Sequence, residues 1–215
     1  MIISPGRGYI FVHVPKTGGT SVALALEARA MKDDILIGDT PKARRRRARV
    51  AGLSARGRLW KHSRLSDLDG LMTTDEIRAL RVVTVVRNPW DRMVSYYHWL
   101  RRQTFDHPAV ARASAMPFGA FMRHPGTQEE IRSDQIDDYL RLVDGTVPQA
   151  TILRQDMLAR DLAEFAAEIG ITVELPLENR SERPRDWRGL YDDETAGIVA
   201  RAYRDDISRH AFTFW

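Results

Sequence analysis

Residues 12–21, which read VHVPKTGGTS, combine the residue types best suited to bind an anion. The apolar, β-branched run at residues 9–14 predicts a strand, Pro15 and two glycines predict a turn, and a helix-forming stretch begins at Ser21. A strand–turn–helix junction points several backbone N–H groups and the positive end of the helix dipole at one spot. Lys16 adds a mobile positive charge. The expected contributors of N–H groups and hydroxyls are Thr17, Gly18, Gly19, Thr20 and Ser21.

An ordinary tight turn is the simpler interpretation of this segment, although it requires neither the lysine nor the hydroxyl residues. A second interpretation is the phosphate-binding loop of nucleotide triphosphatases, G-x-x-x-x-G-K-[ST]. In that loop the lysine follows the glycines, whereas here Lys16 precedes them, so the motif is not present.

A second candidate site begins at Arg87, directly after the β-branched run VVTVV at residues 82–86. That run is typical of a strand buried on both faces of a parallel sheet, and ligands bind at the carboxyl ends of such strands. Asn88 and Pro89 suit the cap and first position of a helix, on which Ser95 lies about two turns along. The Arg87 guanidinium could hold a phosphate through two hydrogen bonds, or it could instead pair with a carboxylate or a helix C-terminus.

The elements around these segments alternate between strands and helices. Strands are predicted at residues 9–14, 35–37, 82–86 and 151–154, and helices at 21–31, from 89, at 157–169 and from 192. This alternation predicts an α/β fold with three layers, in which helices flank a central, mainly parallel sheet. We expect one domain over residues 1–215, with helical or irregular insertions around 39–80 and 103–146.

Composition excludes several classes of protein. Hydrophobic residues make up 43% of the 215, which is enough for a core, and no apolar run reaches the length of a membrane span. The absence of cysteine excludes disulfides and thiolate metal sites, and no His, Asp and Glu spacing suggests a metal. The N-terminus lacks the features of a signal peptide, so a cytoplasmic location is expected.

The net charge of +4 is concentrated locally, with ten Lys and Arg and no acid between Lys42 and Arg64. Such a run forms either a solvated face or a patch that attracts an anionic ligand. Nucleic acid is not expected, because Trp60 is the one aromatic residue in the run.

Together, PKTGGTS and VVRNPWDRMVSYYHWL resemble the sulfotransferase superfamily that uses 3′-phosphoadenylyl sulfate (PAPS), in particular its carbohydrate-type branch and bacterial relatives. ILRQDML at residues 152–158 and LENRSER at 177–183 resemble two later family segments more weakly. The resemblance implies a P-loop-like fold, a phosphosulfate site at the Lys16 loop and a 3′-phosphate site at Arg87 and Ser95. It also implies a contact with the nucleotide from Arg183, and it requires no metal.

The same resemblance implies that His62 is the catalytic base, because a histidine in this interval has that role in related carbohydrate sulfotransferases. A neutral imidazole can accept a hydroxyl proton near neutral pH, although a lone histidine beside a basic run can also be a plain surface residue. Lys16 would stabilise the departing phosphate. The acceptor would be a hydroxyl or amine, expected on a carbohydrate such as an acidic glycan or glycolipid.

Two other functions remain open from the sequence. A kinase or nucleotidase that uses ATP would need an acidic Mg²⁺ ligand, for which Asp39 is the best candidate. A non-enzymatic protein that holds an anionic polymer on its basic run would bind with steep salt dependence and tolerate mutation of Lys16.

Overall fold

The computed structural model of the chain describes residues 1–176 and 186–215. These residues form two compact units. The first contains Met1–Val86 and the described residues from Ile136 to Pro176, and the second contains Arg87–Gln135 and the described residues from Asp186 to Trp215.

A five-stranded sheet organises the first unit, in the order β3-β1-β2-β4-β5. Its strands are β1 Ile2–Ser4, β2 Tyr9–Val12, β3 Ile35–Leu36, β4 Arg81–Val86 and β5 Ala150–Arg154. β2, β4 and β5 pair in parallel, whereas β1 runs antiparallel to both of its neighbours, β2 and β3. Four strands therefore share one direction, and the sheet is mixed in its pairings.

The two central strands are buried on both faces. All four residues of β2 and five of the six in β4 are buried, as the β-branched run predicts. On one face, Phe11, Val83 and Val85 belong to a core cluster with Leu26 and Phe165. On the other, the buried Thr84 hydroxyl donates a hydrogen bond to the Val12 carbonyl at 2.9 Å. The centre of the sheet thus gives the ends of β2 and β4 a fixed position.

The helices of both units have the following bounds: α1 Gly19–Ala28, α2 Pro41–Arg45, α3 Arg47–Ala51, α4 Thr74–Arg78, α5 Pro89–Leu100, α6 Pro108–Ala115, α7 Phe118–Arg123, α8 Pro125–Arg132, α9 Ile136–Leu140, α10 Leu158–Glu168, α11 Asp193–Ala202 and α12 Arg204–Arg209. No helix in the described part of the chain is both long and apolar enough to cross a membrane. Residues 39–80 and 103–146 contain short helices, α2–α4 and α6–α9.

The second unit consists of helices. α11 packs against α5, α7 and α8. The indole N–H of Trp90 in α5 donates to the Ala196 carbonyl of α11 at 3.0 Å. Arg123 on α7 forms ion pairs with Asp192 and Glu194 at the start of α11, where acids also suit the helix dipole.

Most predicted elements are present, with differences at their ends. β1 was not expected, the strand predicted at residues 9–14 ends at Val12, and the last predicted helix is divided into α11 and α12 at Tyr203. The α/β fold with a central sheet flanked by helices is confirmed, and the sheet is mixed.

Candidate active site

The loop between β2 and α1 has the backbone geometry of an anion site. Lys16 has φ 65° and Gly18 φ 93°, so left-handed residues stand on both sides of Thr17. Alternation of left- and right-handed residues curves the chain and turns consecutive N–H groups inward. For Lys16, which has a Cβ, this conformation costs about 1–2 kcal/mol, and such strain is concentrated at functional sites.

Two glycines shape the same loop. Gly18 has the left-handed conformation and directly precedes α1. Gly19 is tighter, because a Cβ there would come within 2.3 Å of His13 Cδ2. Only glycine therefore allows the first turn of α1 to approach His13 so closely.

The N–H groups at the start of α1 remain available to a ligand. The Ser21 N–H donates back to the Gly18 carbonyl at 3.2 Å, whereas the N–H groups of Gly19 and Thr20 bond to no acceptor among the described residues. A helix leaves its first N–H groups unsatisfied, and anions bind there.

The three hydroxyl residues differ in their availability. Thr17 is fully buried, and its hydroxyl donates to the Val14 carbonyl at 2.9 Å. This proton holds the loop and is not available to a ligand, so the backbone N–H is what Thr17 can offer. Thr20 and Ser21 are half-buried in the first turn of α1.

His62 lies against this loop, in the first unit. Its Nδ1 is 2.7 Å from the His13 carbonyl oxygen, which can only accept, so Nδ1 carries the proton and Nε2 carries the lone pair. Its ring also meets the ring of His13, with centroids 4.6 Å apart, and the ring of Trp60 at 5.1 Å. The histidine that sequence analysis singled out is therefore held in one tautomer, with Nε2 as the basic atom.

Burial keeps both histidines neutral. It lowers the pKa of His62 from 6.5 to about 4; the hydrogen bond to His13 opposes this shift, and the Lys61 charge adds to it. Burial, and then the repulsion that a protonated His62 would exert, lower the pKa of His13 well below its usual value. At neutral pH the His62 ring is therefore uncharged and able to accept a proton.

Arg87 and Ser95 lie in the second unit, Arg87 just before α5 and Ser95 within it. The Asn88 side chain accepts from the Trp90 N–H at 3.1 Å and Pro89 occupies the first turn, so the predicted helix start is confirmed. The Arg87 Nε donates to Asp91 Oδ2 at 2.8 Å, and both side chains are buried. Ser95 follows Asp91 by one turn and is 4% exposed. The carboxylate partner that the sequence left open is thus present, and it fixes the orientation of the guanidinium.

Asp39 and Arg183 are the remaining residues that the sequence proposes for ligand binding. Asp39, the candidate Mg²⁺ ligand of the kinase alternative, pairs with Lys61 at 2.8 Å. Among the described residues, no three His, Asp or Glu side chains form a group that could hold a metal. Arg183 and the segment 177–183 lie outside the described residues.

Sequence analysis did not single out two supporting residues, His13 in the first unit and Asp91 in the second. His13 gives His62 its hydrogen-bond acceptor, and Asp91 holds Arg87. The i,i+4 spacing of Arg87 and Asp91 across a helix start was a usable signal. Nothing in the sequence indicated that His13 and His62 are in contact.

Comparisons with known proteins agree with this geometry. The model of the sulfotransferase family matches residues 1–208. A search of the curated proteins found no match. Among solved structures, the chain is similar to mouse sulfotransferase SULT7A1 complexed with PAP, at 15% identity and a TM-score of 0.51, covering 95% of this chain and 86% of that one. The structural likeness shows the fold, and the family model matches nearly the whole sequence; the chain belongs to the sulfotransferase family.

Proposed function

We propose that this sulfotransferase moves a sulfuryl group from PAPS to a hydroxyl, or an amine, of a carbohydrate acceptor. The observation that carries the proposal is the loop at residues 13–20, with its left-handed Lys16, its glycines and the open N–H groups that begin α1. The fold neighbour SULT7A1 is described as complexed with PAP, the nucleotide that remains after transfer.

The residues suit the two ends of the donor. The Lys16 ammonium and the N–H groups of residues 17–20 offer positive charge to the 5′-phosphosulfate. Gly19 leaves room for His13 beside the first turn of α1. Arg87 and Ser95 offer a guanidinium and a hydroxyl to the 3′-phosphate. Asp91 supports this role, because it holds the guanidinium in place before the nucleotide binds.

PAPS supplies a sulfuryl group bonded to a good leaving phosphate. The S–O bond to that phosphate breaks as a new S–O bond forms to the acceptor, and negative charge grows on the phosphate oxygen. Lys16 and the loop N–H groups stabilise this charge. Sulfuryl transfer resembles phosphoryl transfer in having a loose transition state. Positioning of the reactants and electrostatic stabilisation of the leaving phosphate therefore supply most of the catalysis.

His62 takes the acceptor's proton on Nε2. Its pKa of about 4 ensures that the lone pair is present at neutral pH. The hydroxyl proton becomes acidic as the new S–O bond forms, so even this weak base can remove it. The Nδ1–H bond to the His13 carbonyl holds the ring and shares the positive charge that develops.

We further propose an acidic glycan or glycolipid as the acceptor and the cytoplasm as the location. The basic run from Lys42 to Arg64 supports an anionic acceptor, and a chain without cysteine is compatible with a reducing compartment.

Calorimetric titration with adenosine 3′,5′-bisphosphate, ADP and ATP tests the donor assignment. We expect selective binding of the bisphosphate without Mg²⁺, weakened about 10- to 150-fold in Lys16→Ala and in Arg87→Ala. Lys32→Ala, an exposed lysine of the same unit, is the matched control and should bind as wild type does. Mg²⁺-dependent preference for ATP would contradict the proposal and favour a kinase.

A further inference from the structure

A cavity of about 330 Å³ opens beside Trp60 and Lys61, within the first unit. Its apolar wall includes Leu36, Ala43, Val50 and Leu59, and its charged residues are Asp39, Arg47, Arg58 and Lys61. This volume is at the lower end of the range for small-molecule sites.

The basic residues of the surrounding run have different roles. Six are engaged with other groups: Lys42, Arg46 and Arg49 donate to backbone carbonyls, Arg56 and Lys61 pair with carboxylates, and Arg64 covers the ring of Tyr139. Within the described residues, no carboxylate pairs with the other four, Arg44, Arg45, Arg47 and Arg58. Two of these four, Arg47 and Arg58, line the cavity.

The cavity therefore carries uncompensated positive charge. The Lys61 charge is neutralised by Asp39, with Nζ and Oδ2 2.8 Å apart, whereas the guanidinium groups of Arg47 and Arg58 have no such partner among the described residues. A pocket of this composition favours a ligand with a negatively charged group.

An aromatic ring joins the cavity to the candidate base. Trp60 lines the cavity and is 42% exposed, so part of its side chain is accessible to a ligand. Its ring meets the His62 ring with centroids 5.1 Å apart, and the Arg58 guanidinium lies over it at 5.4 Å. A ligand in contact with Trp60 would thus be separated from His62 only by the Trp60 ring.

We propose that this cavity anchors the acceptor, and that the acceptor is a sugar ring bearing an anionic group. The anion contacts Arg47 and Arg58, and the ring lies against Trp60, so that a hydroxyl is held near His62 for transfer. This inference rests on the proposed function, because it assigns the acceptor side of the same reaction. It assigns the preference for an anionic acceptor to Arg47 and Arg58, which lie outside the donor loop.

Two probes that differ in one carboxylate test the assignment: p-nitrophenyl β-glucuronide and p-nitrophenyl β-glucoside. Their affinities are measured by calorimetry at low and high salt, with the protein saturated by adenosine 3′,5′-bisphosphate. We expect the glucuronide to bind more tightly, by about 5-fold or more, and added salt to reduce the difference. Arg47→Gln and Arg58→Gln should each weaken the glucuronide about 5- to 10-fold and leave the glucoside nearly unchanged.

Two further variants separate a specific pocket from the general charge of the run. Arg45→Gln removes an exposed arginine of the same run that does not line the cavity, so glucuronide binding should stay within twofold of wild type. Trp60→Ala should weaken both probes by a similar factor, because the ring face does not distinguish charge.

The inference and the proposed function can fail separately. If the bisphosphate binds but the two glycosides bind equally, or not at all, the acceptor assignment is overturned and the donor site stands. Equal losses in Arg45→Gln and Arg58→Gln would also overturn it, since the effect would then belong to the whole run. Failure to bind the bisphosphate, measured first, would overturn the proposed function.

Discussion

Gly19→Ala tests whether the contact between α1 and His13 holds the site together. The added Cβ would lie 2.3 Å from His13 Cδ2 and 2.7 Å from Nε2, whereas ordinary contacts begin near 3.4 Å. The His13 ring cannot easily move aside, because it is buried and packed against the rings of Phe11 and His62. The first turn of α1 or the pair of histidines must therefore shift.

The expected cost follows from this overlap. Overpacking a buried site typically costs about 1–3 kcal/mol, and an overlap of more than 1 Å on two atoms belongs at the upper end. Alanine in a helix gains back less than about 1 kcal/mol over glycine. We expect Gly19→Ala to lose about 2 kcal/mol of unfolding free energy, roughly 4–8 °C in Tm for a chain of this size.

Urea unfolding and bisphosphate titration measure the two consequences. Gly52→Ala is the matched control: a Cβ there meets nothing within 4 Å and φ is −90°, so stability should be unchanged or slightly higher. For Gly19→Ala, bisphosphate affinity should fall at least 10-fold, because the open N–H groups of the loop move with the helix start. Stability and affinity equal to those of Gly52→Ala would show that the contact between α1 and His13 does not hold the site together.

A double-mutant cycle identifies the cause of the loss. In a His13→Ala background the overlapping ring is gone, so Gly19→Ala should cost less than about 0.5 kcal/mol. An undiminished cost in that background would show that the strain arises from another contact.

Three other predictions concern the side chains. His62→Gln, whose amide can still donate to the His13 carbonyl, should lower kcat about 100- to 10,000-fold with unchanged bisphosphate affinity; an equal loss of affinity would argue for a structural role. The pKa of His62 is about 4 in the folded chain and 6.5 when unfolded, so the unfolded chain binds a proton first as the pH falls. The neutral His62 therefore contributes about 3 kcal/mol to the free energy of unfolding above pH 6.5, and this contribution is lost as the pH falls toward 4. Urea unfolding across that range should therefore show a shallower loss in His62→Gln, and parallel profiles would contradict the assigned burial. Arg87→Lys keeps the charge but loses the Nε bond to Asp91, so bisphosphate affinity should fall nearly as far as in Arg87→Ala; wild-type affinity would refute a need for the guanidinium fork.

The sequence predicted best where local signals determine structure. The β-branched run at residues 82–86, the Asn88 cap and Pro89 specify a buried strand and a helix start within a few residues, and both are present. The lysine, glycines and hydroxyl residues of the first loop likewise indicate an anion site without reference to distant parts of the chain. Such features depend on contacts only a few residues apart.

The sequence was least informative where structure depends on distant contacts. β1 has three residues, too few to show a strand period, and exists through pairing with β2 and β3. His13 and His62 are 49 residues apart, so their contact could not be predicted from local pattern. The division of the basic run into engaged arginines and cavity-lining ones depends in the same way on where α2, α3 and the residues after them fold.

The most direct test of the central claim is transfer of label from PAPS carrying radioactive sulfur to p-nitrophenyl β-glucuronide. We expect labelled glycoside and adenosine 3′,5′-bisphosphate in equal amounts from the wild-type protein, without Mg²⁺, and neither above background from Lys16→Ala. A parallel reaction with ATP labelled on its γ-phosphate should give no labelled glycoside. Transfer from ATP in place of PAPS, or transfer from PAPS that survives Lys16→Ala, would contradict the proposed function.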